Sequence, residues 1–344
     1  MEKLKYTRVE ECCEILDSMR IPITASDRKE GKYPYYGANG IQDYVNDYIF
    51  DDELVLLAED GGNFGSKEKP IAYRVSGKCW VNNHAHVLKP KEEIDVDYLC
   101  YSLMFYKVDG MINGATRKKL TQTAMKKMKI PLRNIVEQKK IVQQLNKIIE
   151  IREKAKKELN LLDNLIQARF VEMFGDPITN SKLLPIEKIE ERYFLKAGIT
   201  TKAEDIHDYL KDKYEIPCYG GNGIRGYVEN LSYEGCYPII GRQGALCGNV
   251  QYATGKFHAT EHAVLVSTLK NDNTMWVYYM LKLMDLYRYH TGAAQPGLAV
   301  KKLNTIDVIV ADINLQNQFA AFVHQINKSK FVIHKFLYCI THNT

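Results

Sequence analysis

The chain has 344 residues, 26% of them charged and 45% hydrophobic, which is material for two domains with cores. Lys and Arg total 47 against 42 acids, and a net charge of +5 is too modest to indicate nucleic acid by itself. The eight cysteines form no C-x-x-C pair, no signal peptide precedes them and no apolar run is long enough for a bilayer, so reduced thiols in a cytoplasmic protein are expected, with no membrane contact. His84-Ala85-His86 is the nearest approach to a metal site. It lacks the spaced cysteines or acids that would complete a tetrahedron, so no metal is expected.

In chain order, Val55-Leu-Leu-Ala58 and His86-Val-Leu88 read as buried strands, and Tyr98 to Tyr106 as a helix. From Arg117 to Lys157 basic residues recur and can form a stripe facing phosphates or a solvated helix face. A long helix follows. Its apolar positions include Ile141, Leu145, Ile148, Ala155, Leu159, Leu162, Leu165, Ile166, Phe170 and Met173. Two seven-residue ladders cover most of them, broken only by Arg152 and Arg169, which is a coiled-coil seam. Residues 134–174 as one helix would span ~60 Å. Gly175-Asp-Pro177 stops it. Pro238-Ile-Ile-Gly241 and Ala263-Val-Leu-Val266 are again strands, and Trp276 to Leu286 a helix. The seam returns as Phe319, Val323, Ile326, Lys330, Ile333, Leu337 and Ile340, with Lys330 at the position of Arg152.

These elements are a duplication. Tyr36-Gly-Ala-Asn-Gly-Ile-Gln-Asp-Tyr-Val45 and Tyr219-Gly-Gly-Asn-Gly-Ile-Arg-Gly-Tyr-Val228 share seven of ten residues at an offset of 183. The same offset pairs Gly61 with Gly244 and Gly65 with Gly248. A deletion then resets it to 178, which pairs Gly77 with Gly255, His84 with His262, Gly114-Ala115 with Gly292-Ala293 and Leu120 with Leu298. The expected architecture is α+β: two tandem mixed α/β domains separated by long antiparallel coiled-coil helices. Its parts are residues 1–133, a spacer helix 134–176, residues 177–311 and a distal spacer helix 312–344. The distal helix stops at Thr344, where Met173 would map to 351, and its last residues lack the charge of Lys154 to Glu158. A truncated or frame-altered tail is the expectation there.

Catalytic motifs are missing. There is no G-x-x-x-x-G-K-[ST] loop, no Asn-Pro-Pro-Tyr or Asp-Pro-Pro-Tyr motif, no glycine-rich methyl-donor loop and no triad spacing. No cofactor is expected on this chain. Two copies of one scaffold with different tips instead fit a device reading two short DNA sequences. Glu59-Asp60 faces Arg242-Gln243, Asn82-Asn83 faces Thr260-Glu261, and Arg117-Lys118-Lys119 faces Gln295-Pro-Gly297. These side-chain types read base edges and phosphates: Arg for guanine, Asn or Gln for adenine, Glu for cytosine. The candidate contacts are Tyr36, Asn39, Asn63, Lys67, Asn82, Asn83, Arg117, Lys118 and Lys119 in the first copy. In the second they are Tyr219, Asn222, Arg242, Gln243, Asn249, Thr260, Glu261, Gln295 and Lys301. His84 and His262, being shared, are expected to be scaffold hydrogen-bonders.

The sequence resembles the specificity subunits of type I restriction-modification systems over nearly its whole length. The resemblance is carried by the Tyr-Gly-x-Asn-Gly-Ile loops at Tyr36 and Tyr219, the His-Ala strands at His84 and His262, and Leu-Ile-Gln-Ala-Arg-Phe-Val-Glu-Met-Phe-Gly-Asp-Pro at 165–177. It implies two target-recognition domains on a bipartite, asymmetric double-stranded DNA site. It also implies two methyltransferase subunits that carry S-adenosylmethionine, and restriction subunits in the same assembly. The alternatives are an orphan or exchangeable specificity protein acting alone, and a single-chain nuclease or methyltransferase with an unrecognised motif.

Overall fold

The structure is a computed structural model that describes residues 4–114, 117–210, 214–292 and 296–342, with only the main chain described at 341 and 342. It divides into two compact units, Met1–Ile151 and Arg152–Thr344.

The first unit contains β1 (Lys5–Arg8), α1 (Val9–Cys12), β2 (Cys13–Ile15), β3 (Glu30–Gly37), β4 (Gly40–Val45), β5 (Phe50–Ala58), β6 (Ala72–Val81) and β7 (Ala85–Pro90). After these come α2 (Val96–Met104), β8 (Ile112–Asn113), β9 (Lys119–Leu120), α3 (Gln122–Lys126), β10 (Lys129–Leu132) and the start of α4 (Ile135–Phe174). The second unit takes the rest of α4, then β11 (Ile186–Lys188), α5 (Ile189–Arg192), β12 (Tyr193–Ala197), β13 (Ile216–Gly220), β14 (Gly223–Val228), β15 (Tyr233–Gly241), β16 (Val250–Ala259) and β17 (Ala263–Thr268). It ends with α6 (Thr274–Leu283), α7 (Val300–Asn304), β18 (Asp307–Ile309) and α8 (Ile313–His342).

The duplication is topological. The first sheet runs β2-β7-β5-β6-β3-β4 and the second β12-β17-β15-β16-β13-β14. Both are antiparallel except at the β3–β6 and β13–β16 pairs. The central strands read as unbroken apolar runs because both their faces are covered. Along β5, Val55 and Leu57 enter the cluster with Leu99 and Leu103 of α2, while Leu54 and Leu56 enter a second cluster on the other face with Val75 and Val87. Glycines shared by the copies sit where the chain needs positive φ: +63° and +80° at Gly61 and Gly244, +82° and +83° at Gly65 and Gly248.

The long helix forms as the heptads require. Asn134 caps it, its side chain accepting from Glu137 N, and Gly175 ends it at φ +79°. In the second unit α4 and α8 run antiparallel. The Phe170 and Phe319 rings meet at 5.3 Å, and Lys330 reaches Asp163 at 2.6 Å. Along α8 the ladder Phe319, Val323, Ile326, Lys330, Ile333, Leu337 and Ile340 is buried or half-buried, while most of the residues between are exposed. Outside the two ladders, Leu165 is exposed, whereas Phe170 and Phe174 are buried. Phe174 is buried because the last turns of α4 join the second domain's core, where Phe170, Phe174, Trp276 and Phe319 pack ring against ring. No helix among the described residues is long and apolar enough to cross a membrane.

Candidate nucleic-acid interface

In each unit many of the described candidate residues lie near the end of the sheet where β7 or β17 begins. The opposite end of that strand leads to α2 or α6 and the spacer helix.

In the first unit the tip is an ion network. Asp60 is held by His84 Nδ1 at 2.6 Å and by Arg117 Nη2 at 2.8 Å. Glu59 takes Arg20 at 2.6 Å and Lys119 at 2.9 Å. Beneath it the fully buried His86 places Nδ1 2.7 Å from Asp17 Oδ2 and Nε2 2.9 Å from the Leu120 carbonyl, so both ring nitrogens face acceptors. Gln122 and the Val87 amide also donate to Asp17. Burial pushes the Asp17 carboxyl up, but the bonds and charge of His86, with Gln122 and Val87, outweigh it and leave it below its usual range. Burial likewise opposes ionisation of Glu59, and Arg20, Lys119 and His86 overcome it. Asp17, Glu59 and His86 bring ligand atoms within 4.8 Å of one another, as a metal site would. Arg20, Lys119 and the Leu120 carbonyl already engage these groups, so the donor set is that of an internal ion network.

The tip holds its loops through the shared residues. Asn39 Nδ2 donates to the Gly61 carbonyl at 3.0 Å. Arg117, Lys118, Lys119, Lys67 and Asn83 are exposed. Lys67 and Lys118 flank a cleft of about 470 Å³ floored by Phe64, Ile71 and Val108. Asn63 is half-buried and donates to Pro70 O.

The second unit's tip is built from backbone approach. Gly241 packs so closely on Gly221 that a Cβ would stand 2.1 Å from the Gly221 carbonyl oxygen. That approach brings the loop after β13 against the loop after β15. Between them lies a cleft of about 560 Å³ lined by Asn222, Arg225, Gln243, Leu246 and His262. Asn249 Nδ2 donates to Asn222 Oδ1 beside it. Arg242 is half-buried, its backbone fixed by His262 O and Leu298 N, and among the described residues no ion pair holds its guanidinium. Glu261 pairs with His262 at 3.2 Å and accepts from Thr201 N.

Several candidates are placed elsewhere than the sequence pattern suggests. Asn82 is 3% exposed, its amide donating to Gln42 and its oxygen accepting from His84 N, so it builds the turn and cannot reach a groove. Thr260 is fully buried. Tyr36 and Tyr219 pack against Tyr73 and Phe257 on the sheet. Lys301 is exposed on α7, the short helix that packs on β12 and α5. Gln295 lies outside the described residues.

Sequence reasoning missed one residue at the other end of each globule. Gln138 and Gln316, both fully buried, anchor the first turns of α4 and α8. The signal was available, since glutamine recurs at the 178 offset.

The sequence profile of the family described as "Type I restriction modification DNA specificity domain" matches residues 1–161 and 194–337. The chain belongs to this family. It is 47% identical over 129 residues to the type I restriction enzyme EcoprrI specificity subunit of Escherichia coli, a match covering 38% of this chain and 32% of that one. It is 35% identical over 144 residues to a putative type I restriction enzyme specificity subunit, S.HindORF215P, of Haemophilus influenzae, covering 42% and 37%. These matches thus span about a third of the curated relatives' length. Among solved structures, the S subunit of a type I restriction-modification system from M. genitalium aligns over 99% of this chain and 94% of its own, with TM-score 0.64 and 16% identity. A chain from "Structural basis underlying complex assembly and conformational transition of the type I R-M system" aligns over 99% and 96%, with TM-score 0.57 and 13% identity. At such identities the likeness establishes the specificity-subunit fold.

Proposed function

We propose that this specificity-family chain is the non-catalytic DNA-reading subunit of a type I restriction-modification assembly. Each globule reads one half of a bipartite, asymmetric double-stranded site. Two methyltransferase subunits dock on the chain and supply S-adenosylmethionine chemistry, and restriction subunits complete the assembly. The location that goes with this is the cytoplasm, in keeping with eight unpaired cysteines. Burial holds several of their thiols up, to about 12 at Cys79 and Cys100 and about 11 at Cys218, so these favour the protonated thiol.

The observation that carries this reading is one scaffold bearing two different tips. Where the first copy has Glu59, Asp60 and Lys119, the second has Arg242, Gln243 and Gly297 on equivalent strands and loops. A duplicated enzyme would keep its chemistry in both copies. A duplicated reader has reason to vary the residues that meet base edges and keep the rest. Arg117, fixed by Asp60 and His84, and Arg242 are the proposed guanine readers. Lys67, Lys118 and Lys119 are the proposed phosphate contacts.

Methylome sequencing of a host carrying this chain with its partner subunits tests the reading. An asymmetric split site is expected, changing at one half only when residues 36–120 are exchanged for another recognition domain. A continuous or palindromic site would overturn it. The purified chain alone, given magnesium, ATP and S-adenosylmethionine, is expected to neither cut nor methylate DNA.

A further inference from the structure

The two glutamines at the roots of the spacer helices share two of their three bonds, to a helix N-cap amide and to the carbonyl five residues back. Gln138 Oε1 accepts from the Asp95 amide at 2.8 Å, and its Nε2 donates to the Glu93 and Arg133 carbonyls, each at 2.8 Å. Gln316 Oε1 accepts from the Asn273 amide at 2.8 Å, and its Nε2 donates to Asp272 Oδ1 at 2.8 Å and the Ala311 carbonyl at 3.0 Å. Asp95 and Asn273 are the N-caps of α2 and α6, the helices that lie on the sheets. Each glutamine therefore ties the first turn of a spacer helix to the first turn of a sheet-bound helix and uses both amide protons in doing so. Glutamate lacks the donors, methionine lacks both functions and asparagine is one methylene short. A core position that only had to be filled would take an apolar residue at lower desolvation cost. Two copies whose tips have diverged keep a fully satisfied polar group here, where the spacer helix leaves its globule.

We propose that Gln138 and Gln316 are positioning residues for DNA reading. Each locks the angle at which its spacer helix leaves its globule, and so helps set the gap between half-sites. This rests on the split-site reading. The lever is long: a 40-residue helix at about 1.5 Å per residue turns a slack of roughly 3° into a displacement of about 3 Å, close to one base-pair step.

The test uses the full chain assembled with its modification subunits and duplexes carrying both half-sites with the gap varied one base pair at a time. Gln138→Met keeps the volume and removes three hydrogen bonds. For the native chain a one-base-pair change in gap should weaken binding roughly tenfold or more. In Gln138→Met that penalty should fall to within about threefold, with base preference inside each half-site unchanged. A well-folded Gln138→Met that keeps the native gap preference overturns the proposal. If Gln138→Met does not fold, Asp95 decides from the other side. Its φ of −65° suits proline, and Asp95→Pro removes the amide that Gln138 binds, while Asp95→Ala loses the same helix cap but keeps that amide. Asp95→Pro should broaden the gap preference and Asp95→Ala should not; equal behaviour overturns the proposal. A native assembly with no gap dependence at all would instead overturn the split-site reading.

Discussion

The two globules share a sheet order and a glutamine latch, yet they bury their charges at opposite ends. The first places Asp17, His86, Glu59 and Arg20 under its tip. At the root, the position of Cys12 is matched by Arg192 and that of Ile94 by Asp272. The first copy is apolar there, with Cys12 and Ile94 buried. The second holds a bidentate Arg192–Asp272 pair at 2.6 Å, which Glu187 and Gln316 extend. At the tip the relation reverses, since Val264 stands at the place of His86 and Arg242 at that of Glu59. The scaffold accepts either solution at either end because its core is fixed by the strands. A buried ion pair and a well-packed apolar pair are close in free energy, while half of either is costly.

The comparison is most easily broken at the second root. Arg192→Ala should cost about 3–5 kcal/mol by leaving Asp272 buried and unpaired. The double change Arg192→Cys with Asp272→Ile, which installs the first copy's residues, should recover at least half of that. Denaturant unfolding followed at Trp276 measures both, and a double variant no better than the single would refute interchangeable roots. Phe170→Ala should cost a similar ~3–5 kcal/mol in the same unit, since the ring is fully buried among Phe174, Trp276 and Phe319. Followed at Trp80, the first unit's transition should move far less.

Acid should find the first tip. Asp17 and Glu59 are both held below their ordinary values, so their contribution is complete above the unfolded carboxylate range near pH 4 and is lost as pH falls through the lower folded values. Asp17→Asn with Glu59→Gln should flatten the acid limb of the first unit's stability curve. An unchanged limb between pH 5 and pH 2 would show that the network is not what acid dissolves.

Smaller effects distinguish reading from holding. Arg242→Ala should relax preference at about one base pair of the second half-site, by roughly 1–3 kcal/mol. Lys118→Ala should weaken all sequences alike and lower the salt slope by about 0.9 for each phosphate that the lysine neutralises. Binding to single-base variants at two salt concentrations separates the two, and uniform weakening for Arg242→Ala would remove it from the readers. Smallest of all, Lys330→Ala should cost less than about 1 kcal/mol, because Asp163 stays part-exposed and can be resolvated. A larger loss would mean that this pair, more than the apolar seam, holds α8 to α4.

Much of this was legible in the sequence because repetition and period are local properties. Paired glycines, the Tyr-Gly-x-Asn-Gly-Ile loops and a seven-residue ladder each fix a backbone conformation or a buried face whatever surrounds them. The chain therefore determined by itself the duplication, two central strands and one helix of each copy, the spacer helices with the seam on α8, and the absence of a familiar catalytic motif. Only the tertiary structure decided which polar residues point outward. Asn82 and Asn83 are adjacent and alike, yet one is buried in a turn with Gln42 and the other is exposed. It also decided that Phe174, outside the seven-residue ladders, joins a globule's core, and that Gln138 closes a joint with Asp95 across 43 residues. Burial and hydrogen-bond partnership are set by residues distant in the chain, and no local pattern encodes them.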